Sequence, residues 1–475
     1  MNTVVLFARQ VLFGSVCTFV CLPMLAGAAP APVVRAGVAE IDITPPVGHR
    51  MAGYFDERLA TGIHDPLRAK AIVIKQGKET FAFAFCDLVG LSLHVSTNAR
   101  AQASQRTGIP VSHILIAATH SHTGPTFDDV RRDYFHAKAM AKLGRDPQEE
   151  IYYPDFLAER LAQVLAEANN KMAPSTLAAG IGKQKGLSFN RRYHMKNGKV
   201  AFNPGQLNPN IVRPAGPIDP DVAALFMRSA DGQHALAGLT VFACHCDTVG
   251  GTDYSADYPH FLQQTLRCKF GAEFISAFAS GTCGDINHIN VVVKEPLKGF
   301  DVAERIGTTL GRTVLDMQAN LVPLSQSSFA LRSKTLALPL QEVTPEQVKA
   351  ARAKLPLLET DDGDFYEKVE AVKAVDLANR GKTWPMEVQV FRLDAGTAIV
   401  GLPGEIFVDL GLAIKRASPF QRTIVMSICN DRPGYVPTRK AFTEGSYEVT
   451  NSRIKPGGGE MLVETASQLL KELKR

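Results

Sequence analysis

Residues Ile114–Pro125 read ILIAATHSHTGP, an apolar run that stops at His120-Ser121-His122 and passes into a Gly-Pro turn. Imidazole nitrogens are good zinc donors. Side chains alternate along a strand, so two histidines at i and i+2 share a face just as the strand gives out. The pair is therefore expected to present two donors to one metal ion or one substrate. A lone histidine would read as a packed turn residue; the pair before Thr-Gly-Pro makes a metal site an equal reading.

Other apolar runs end in polar clusters of the same kind. VFACHCD carries His245, and FISAFAS leads into GTCGDINHIN over 281–290. TAIVGL leads into Pro403-Gly404-Glu405, and TIVMSIC into NDRPGYVPT with Tyr435. In α/β proteins ligands and catalytic groups gather on loops beyond strand ends, so His, His, Glu and Tyr can meet at one site. Each residue also has a plainer use. Glu405 suits the positive end of the following helix, Tyr435 a packed loop aromatic, and Asp257 a helix cap before Pro259. Cys244 and Cys246 flank His245 but would point away from it on a strand, so they read as small buried residues with Cys86, Cys268, Cys283 and Cys429.

The elements that must position these residues alternate along the chain. Strands are expected at Ala69–Lys75, Thr80–Phe85, Ser112–Ala118, Ala235–His245, Phe274–Ala279, Ser328–Leu338, Val388–Leu393, Ala398–Leu402 and Thr423–Cys429. Helices are expected at Val95–Thr107, Tyr153–Asn169, Pro259–Lys269, Val302–Ala319, Thr344–Lys354, Phe365–Asn379, Phe407–Ala417 and Gly458–Lys474. The fold class is α/β: a mixed β-sheet core covered by helices, with catalytic residues on loops beyond strand ends. Asn203–Asp221, rich in Pro, Gly and Asn, reads as a long loop and a candidate substrate-facing flap. The acidic stretch Glu359–Asp364 reads as a solvated helix start.

With 475 residues, 45% hydrophobic and 21% charged, the chain is globular, and a net charge of +5 without a basic-aromatic patch gives no nucleic-acid partner. Arg9 precedes the apolar stretch Val11–Leu25, which ends in Ala26-Gly27-Ala28. This pattern predicts a signal peptide over 1–28, removing Cys17 and Cys21 and delivering a secreted or periplasmic protein.

Taken in order from about Gly37, the chain resembles the neutral ceramidase family, zinc-dependent amidases that split ceramide into sphingosine and a fatty acid. The resemblance rests on GVAEIDITPP, GIHDPLRAKA, ATHSHTGP, Asn190-Arg191, VFACHCD with YSADYP, GTCGDIN, GLPGE, and GYVPT with Tyr447-Glu448. It implies a Zn²⁺ ion held by His120, His245, Glu405 and Tyr435, with His122, Arg191 and Tyr447 lining the reacting amide. Two imidazoles, a carboxylate and a phenol oxygen leave zinc acidic enough to activate a water. Tyr447 or His122 would stabilise the oxyanion, His122 would protonate the leaving amine, and Arg191 would orient the substrate.

The match is incomplete. Asn287 stands where the family has a serine, His288 is additional, and Cys246-Asp247-Thr248 replaces a Pro-led segment. Phe442 is the aromatic seven beyond Tyr435, and no counterpart of the family's C-terminal immunoglobulin-like domain is expected. The expected organisation is a signal peptide and one zinc-amidase domain over 29–475. The expected substrate is the N-acyl amide of ceramide or a related lipid, reached with peripheral membrane contact through loops around the site. The alternatives are a hydrolase of a non-sphingolipid N-acyl amide, peptide-like amide or ester, and a non-catalytic ligand-binding protein on the same scaffold.

Overall fold

Phenylalanine and alanine alternate in the strand Glu79–Cys86, ETFAFAFC, and this sets the layering of the molecule. Phe81, Phe83 and Phe85 are buried on one face, and Ala82, Ala84 and Cys86 on the other. The small face lets helices Leu93–Thr107 and Tyr153–Asn170 approach closely through Ala99, Ala103, Ala158 and Ala162. The bulky face meets a second sheet. There Phe391 packs edge-on against Phe81 and Phe83, with ring centroids 5.1 and 5.0 Å apart.

The computed structural model describes residues 33–324, 327–360 and 364–475, with 1, 3, 5 and 6 besides. The expected signal peptide, its cysteines, and Asp361–Gly363 lie outside these, four isolated positions excepted. Residues Val33–Arg475 form one unit. Its first sheet has the order Ile275–Ser280, Ala235–Phe242, Asp221–Ser229, Ala173–Lys183, Arg35–Asp42, Arg68–Gln76, Glu79–Cys86, Ile114–Ala118. The second has the order Ala330–Pro339, Thr383–Arg392, Thr397–Gly401, Arg422–Met426. Helices Tyr258–Phe270 and Phe300–Asp316 cover the rest of the first sheet's outer face, and Val408–Ala417 and Gly458–Lys474 cover the second sheet. The architecture is helix, sheet, sheet, helix, a mixed α/β fold as expected.

Three of the longer strand pairs are parallel: Glu79–Cys86 with Ile114–Ala118, Ala235–Phe242 with Ile275–Ser280, and Thr397–Gly401 with Arg422–Met426. Parallel partners release their C-terminal loops at a common edge, where ligands of α/β proteins collect. All the polar clusters singled out above follow one of these six strands.

Some boundaries differ from expectation. The Ala235–His245 strand stops at Phe242, and Ile114–Ala118 is preceded by a 3₁₀ turn at Val111–His113. Asn203–Asp221 is not a continuous loop: Ile211–Pro214 pairs with Arg192–Met195, and Asp221 opens a strand. Ala173–Lys183 gives little strand signal because small residues dominate it. At Gly180 and Gly182 the side chains of Leu321 and Met317 occupy the space a Cβ would take, at 2.8 and 2.6 Å.

Candidate metal centre

Backbone bonds knit the strand-end loops together before any side chain contributes. Thr119 N donates to Cys86 O (2.8 Å), Asn430 N to Ile116 O (2.7 Å), and His122 N to Cys246 O (3.1 Å). Gly284 N donates to Ile406 O (2.8 Å), and Glu405 N to Gly434 O (2.9 Å). Residues more than three hundred positions apart are thus fixed by the sheet edge. Gly284 is obligatory because a Cβ would sit 2.4 Å from Glu405 O.

His120 and His122 do converge, though not by strand alternation. The strand ends at Ala118, and His120 takes a left-handed backbone, φ 76°. This turns Ser121 inward, where its hydroxyl donates to Ser255 O at 2.6 Å, and brings His120 Nε2 to 3.4 Å from His122 Nε2. The His120 ring lies 4.4 Å from that of His245. Glu405 Oε2 stands 3.5 Å from His120 Nε2 and 3.4 Å from His245 Nε2.

The protonation pattern follows from the partners. His120 Nδ1 is 2.7 Å from Val89 O, and His245 Nδ1 is 2.8 and 2.9 Å from the carbonyls of Cys283 and Ile286. His122 Nδ1 faces Gly53 O at 3.2 Å. A carbonyl only accepts, so each Nδ1 carries the hydrogen and each Nε2 turns a lone pair inward. Burial, then Arg191, pushes His245 down to about 3, and burial also pushes His122 well below the ordinary imidazole range. Glu405 falls well below the ordinary carboxylate range, burial raising it and its contacts with His120 and His245 lowering it.

Three inward lone pairs and one anion with no hydrogen between them suit a cation. Glu405 Oε2 is buried without a hydrogen-bond partner, and the three imidazoles each place a ring nitrogen within 4.8 Å of the others. The donor set of nitrogen and carboxylate oxygen fits zinc. Tyr435 is brought beside Glu405 by the two-residue parallel pair Glu405–Ile406 with Tyr435–Val436, and it is buried. One bond stands against the ion: Arg191 Nη1 lies 3.1 Å from His245 Nε2, so an ion there displaces that donor.

Arg191 and Tyr447 complete the group named from the sequence. Arg191 Nε donates to Glu448 Oε1 at 2.8 Å and Nη2 to Gly284 O at 2.9 Å. Its guanidinium lies over Phe202, Tyr435 and Tyr447. Tyr447 packs against Tyr435 with ring centroids 5.4 Å apart, and its hydroxyl accepts from Asn451 Nδ2 at 3.3 Å. All seven residues therefore gather at one edge of the sheets.

Neighbouring residues support them. Asp247 accepts from Tyr54 (2.9 Å) and Lys298 (2.5 Å) and lies 3.8 Å from His122 Nδ1. Asp257 caps helix Tyr258–Phe270, as expected, and also accepts from Thr248 N (2.8 Å), Val249 N (3.0 Å) and the Thr248 hydroxyl, so it fixes the turn after His245. Among the described cysteines, Cys86, Cys244, Cys246, Cys283 and Cys429 are buried and Cys268 is exposed; burial raises the thiols of Cys283 and Cys429 to about 12. Asn287 Nδ2 donates to Asn203 Oδ1 at 3.0 Å. His288, expected on a surface loop, is buried instead, because its Nε2 meets Leu297 O at 2.5 Å.

The sequence pattern described as neutral/alkaline non-lysosomal ceramidase, N-terminal, matches residues 34–292. The chain belongs to this family. A neutral ceramidase of Pseudomonas aeruginosa is 22% identical to it over 498 residues, covering 91% of this chain and 71% of the relative. The crystal structure of neutral ceramidase from the same organism superposes with a TM-score of 0.72 at 19% identity, covering 93% of this chain and 75% of that one. A structure of ceramidase complexed with C2 gives 0.69 at 17% identity, with the same coverage. These likenesses establish the ceramidase fold; His120, His122 and His245 fall inside the matched segment, and Glu405, Tyr435 and Tyr447 beyond it.

Proposed function

We propose that this ceramidase-family chain is an exported, zinc-dependent hydrolase that cleaves the N-acyl amide of ceramide or a related lipid. The observation that carries the reading is the unpartnered Glu405 Oε2 facing two inward imidazole nitrogens at 3.5 and 3.4 Å. His120, His245 and Glu405 would hold the ion, with Tyr435 beside them. A bound zinc supplies Lewis acidity and draws the pKa of a coordinated water toward about 7.

The chain's own groups supply the rest. His122, with Nδ1 facing Gly53 O and Asp247 near by, would take a proton on its free Nε2 from the attacking water and hand it to the leaving amine. Tyr447 lies where its hydroxyl can donate to developing negative charge, and burial raises its pKa so that it stays a donor at neutral pH. Arg191 keeps the Tyr435–Tyr447 pair against the site, and once its bond to His245 is exchanged, one N–H is free for a substrate oxygen. Export is supported by the sequence of residues 1–28, and none of the described helices is long and apolar enough to cross a membrane.

The test is metal analysis with parallel assays on ceramide and short N-acyl amides. About one zinc per chain is expected, lost together with amide hydrolysis on chelation. A zinc-loaded protein that cleaves no N-acyl amide overturns the reading.

A further inference from the structure

We infer that the cleft beside the three histidines holds, on Arg432, the anionic group of an N-acyl amide substrate. The inference rests on the hydrolase reading above and narrows its substrate class.

A cavity of about 120 Å³ over His120, His122 and Glu405 adjoins a second hollow of about 310 Å³, and Asp128, Arg380, Trp384 and Arg432 line both. Four arginines line the first cavity: Arg131, Arg380, Arg432 and Arg453. Three are engaged with acids. Arg131 Nη2 donates to Asp129 Oδ2 at 2.6 Å, and Arg380 and Arg453 each donate to Asp376 at 2.9 Å. Asp128 is occupied by Ser92 at 2.7 Å and His94 at 3.4 Å.

Arg432 differs. Its nearest carboxylate oxygen is Asp129 Oδ2 at 3.8 Å, an atom that already accepts from Arg131 at 2.6 Å and Thr126 at 3.0 Å. Among the described residues its guanidinium has no hydrogen-bond partner, although its side chain is only 20% exposed. The stem is seated in a slot: a Cβ on Gly90 would lie 2.3 Å from Arg432 Cδ. Burial accordingly lowers its pKa, with Asp129 and Glu405 compensating only in part.

A planar fork of donors held in place beside a reaction centre matches a carboxylate or phosphate, which it can bind through two parallel bonds. An uncharged two-chain lipid offers Arg432 only hydroxyl and carbonyl oxygens, which leave its charge uncompensated once alkyl chain covers it. An anionic substituent removes that cost. The class is therefore an N-acyl amide carrying a carboxylate or phosphate, such as an N-acyl amino acid.

Zinc-supplemented full-length protein would be assayed on N-dodecanoyl glycine, N-dodecanoyl phosphoethanolamine and neutral N-dodecanoyl ethanolamine. The first two arms separate carboxylate from phosphate. At least one anionic amide should exceed the neutral one by about 10- to 100-fold in kcat/KM, mainly through KM, as a charge-assisted bond supplies. In Arg432→Gln that ratio should fall toward one, with partial recovery in Arg432→Lys. Calorimetric binding of the same amides to His120→Ala protein reads the preference without turnover. Equal treatment of neutral and anionic amides, unmoved by Arg432→Gln, overturns the proposal while leaving the hydrolase reading intact. Preferential, Arg432-dependent binding without cleavage of any amide leaves the anion site standing and sinks the hydrolase reading.

Discussion

His120 occupies the left-handed backbone region, where a non-glycine residue pays about 1–2 kcal/mol. The conformation persists because Val89 O, Ser255 O and the neighbouring loops over-determine it. His120→Ala should lose zinc and turnover together, measured by metal content and amide assay. His120→Gly should lose both as well, yet the metal-free glycine variant should unfold at higher temperature than the alanine one, by the equivalent of about 1 kcal/mol. A second prediction concerns pH. His245 has its folded pKa depressed to about 3 from 6.5, by burial and then Arg191. The unfolded chain takes up that proton first, so the contribution is intact above pH 6.5 and is lost as pH falls toward 3. Melting of metal-free wild type should therefore decline through that window, and His245→Gln should flatten the decline.

Asp257 joins two elements, as the cap of one helix and the anchor of the turn that carries His245. Asp257→Ala strands Thr248 N and Val249 N and should cost about 2–4 kcal/mol in denaturant unfolding. Because that turn orients His245, a proposed zinc ligand, zinc affinity should fall about 10- to 100-fold as well. At the sheet interface, Phe83→Ala removes a fully packed ring and should cost about 3–5 kcal/mol while leaving zinc stoichiometry unchanged.

What the sequence makes legible, and what it hides, divides at this same scale. Chemistry-bearing side chains after apolar runs announced His120, His245, Glu405 and Tyr435, because polar groups at strand ends are conspicuous against a buried strand. The reason His120 and His122 converge was hidden, since it lies in one backbone dihedral and no side-chain pattern encodes that. Ala173–Lys183 was hidden for another reason: its role is to be thin, so that Met317 and Leu321 can pack on it. Arg432 sat in plain view within NDRPGYVPT, but its lack of a partner depends on which carboxylates reach across the cleft.

Across the whole molecule, the fully buried Glu448 binds both Arg191 (2.8 Å) and Arg192 (3.1 Å), tying the segment near the C-terminus to the middle of the chain. Glu448→Gln leaves two buried guanidiniums undercompensated and should cost about 3–5 kcal/mol. Since Arg191 also touches His245 and Tyr447, the variant should lose activity in step with its fall in melting temperature, and zinc supplementation should restore only part of either.

The spread of the donors along the chain orders events during biosynthesis. When His120 and His245 have left the ribosome, Glu405 is still unsynthesised, and the loop carrying Tyr435 that pairs with it comes later still. A nascent polypeptide thus offers imidazoles but no anion, so the proposed metal centre cannot close until Glu405 has been made, late in synthesis.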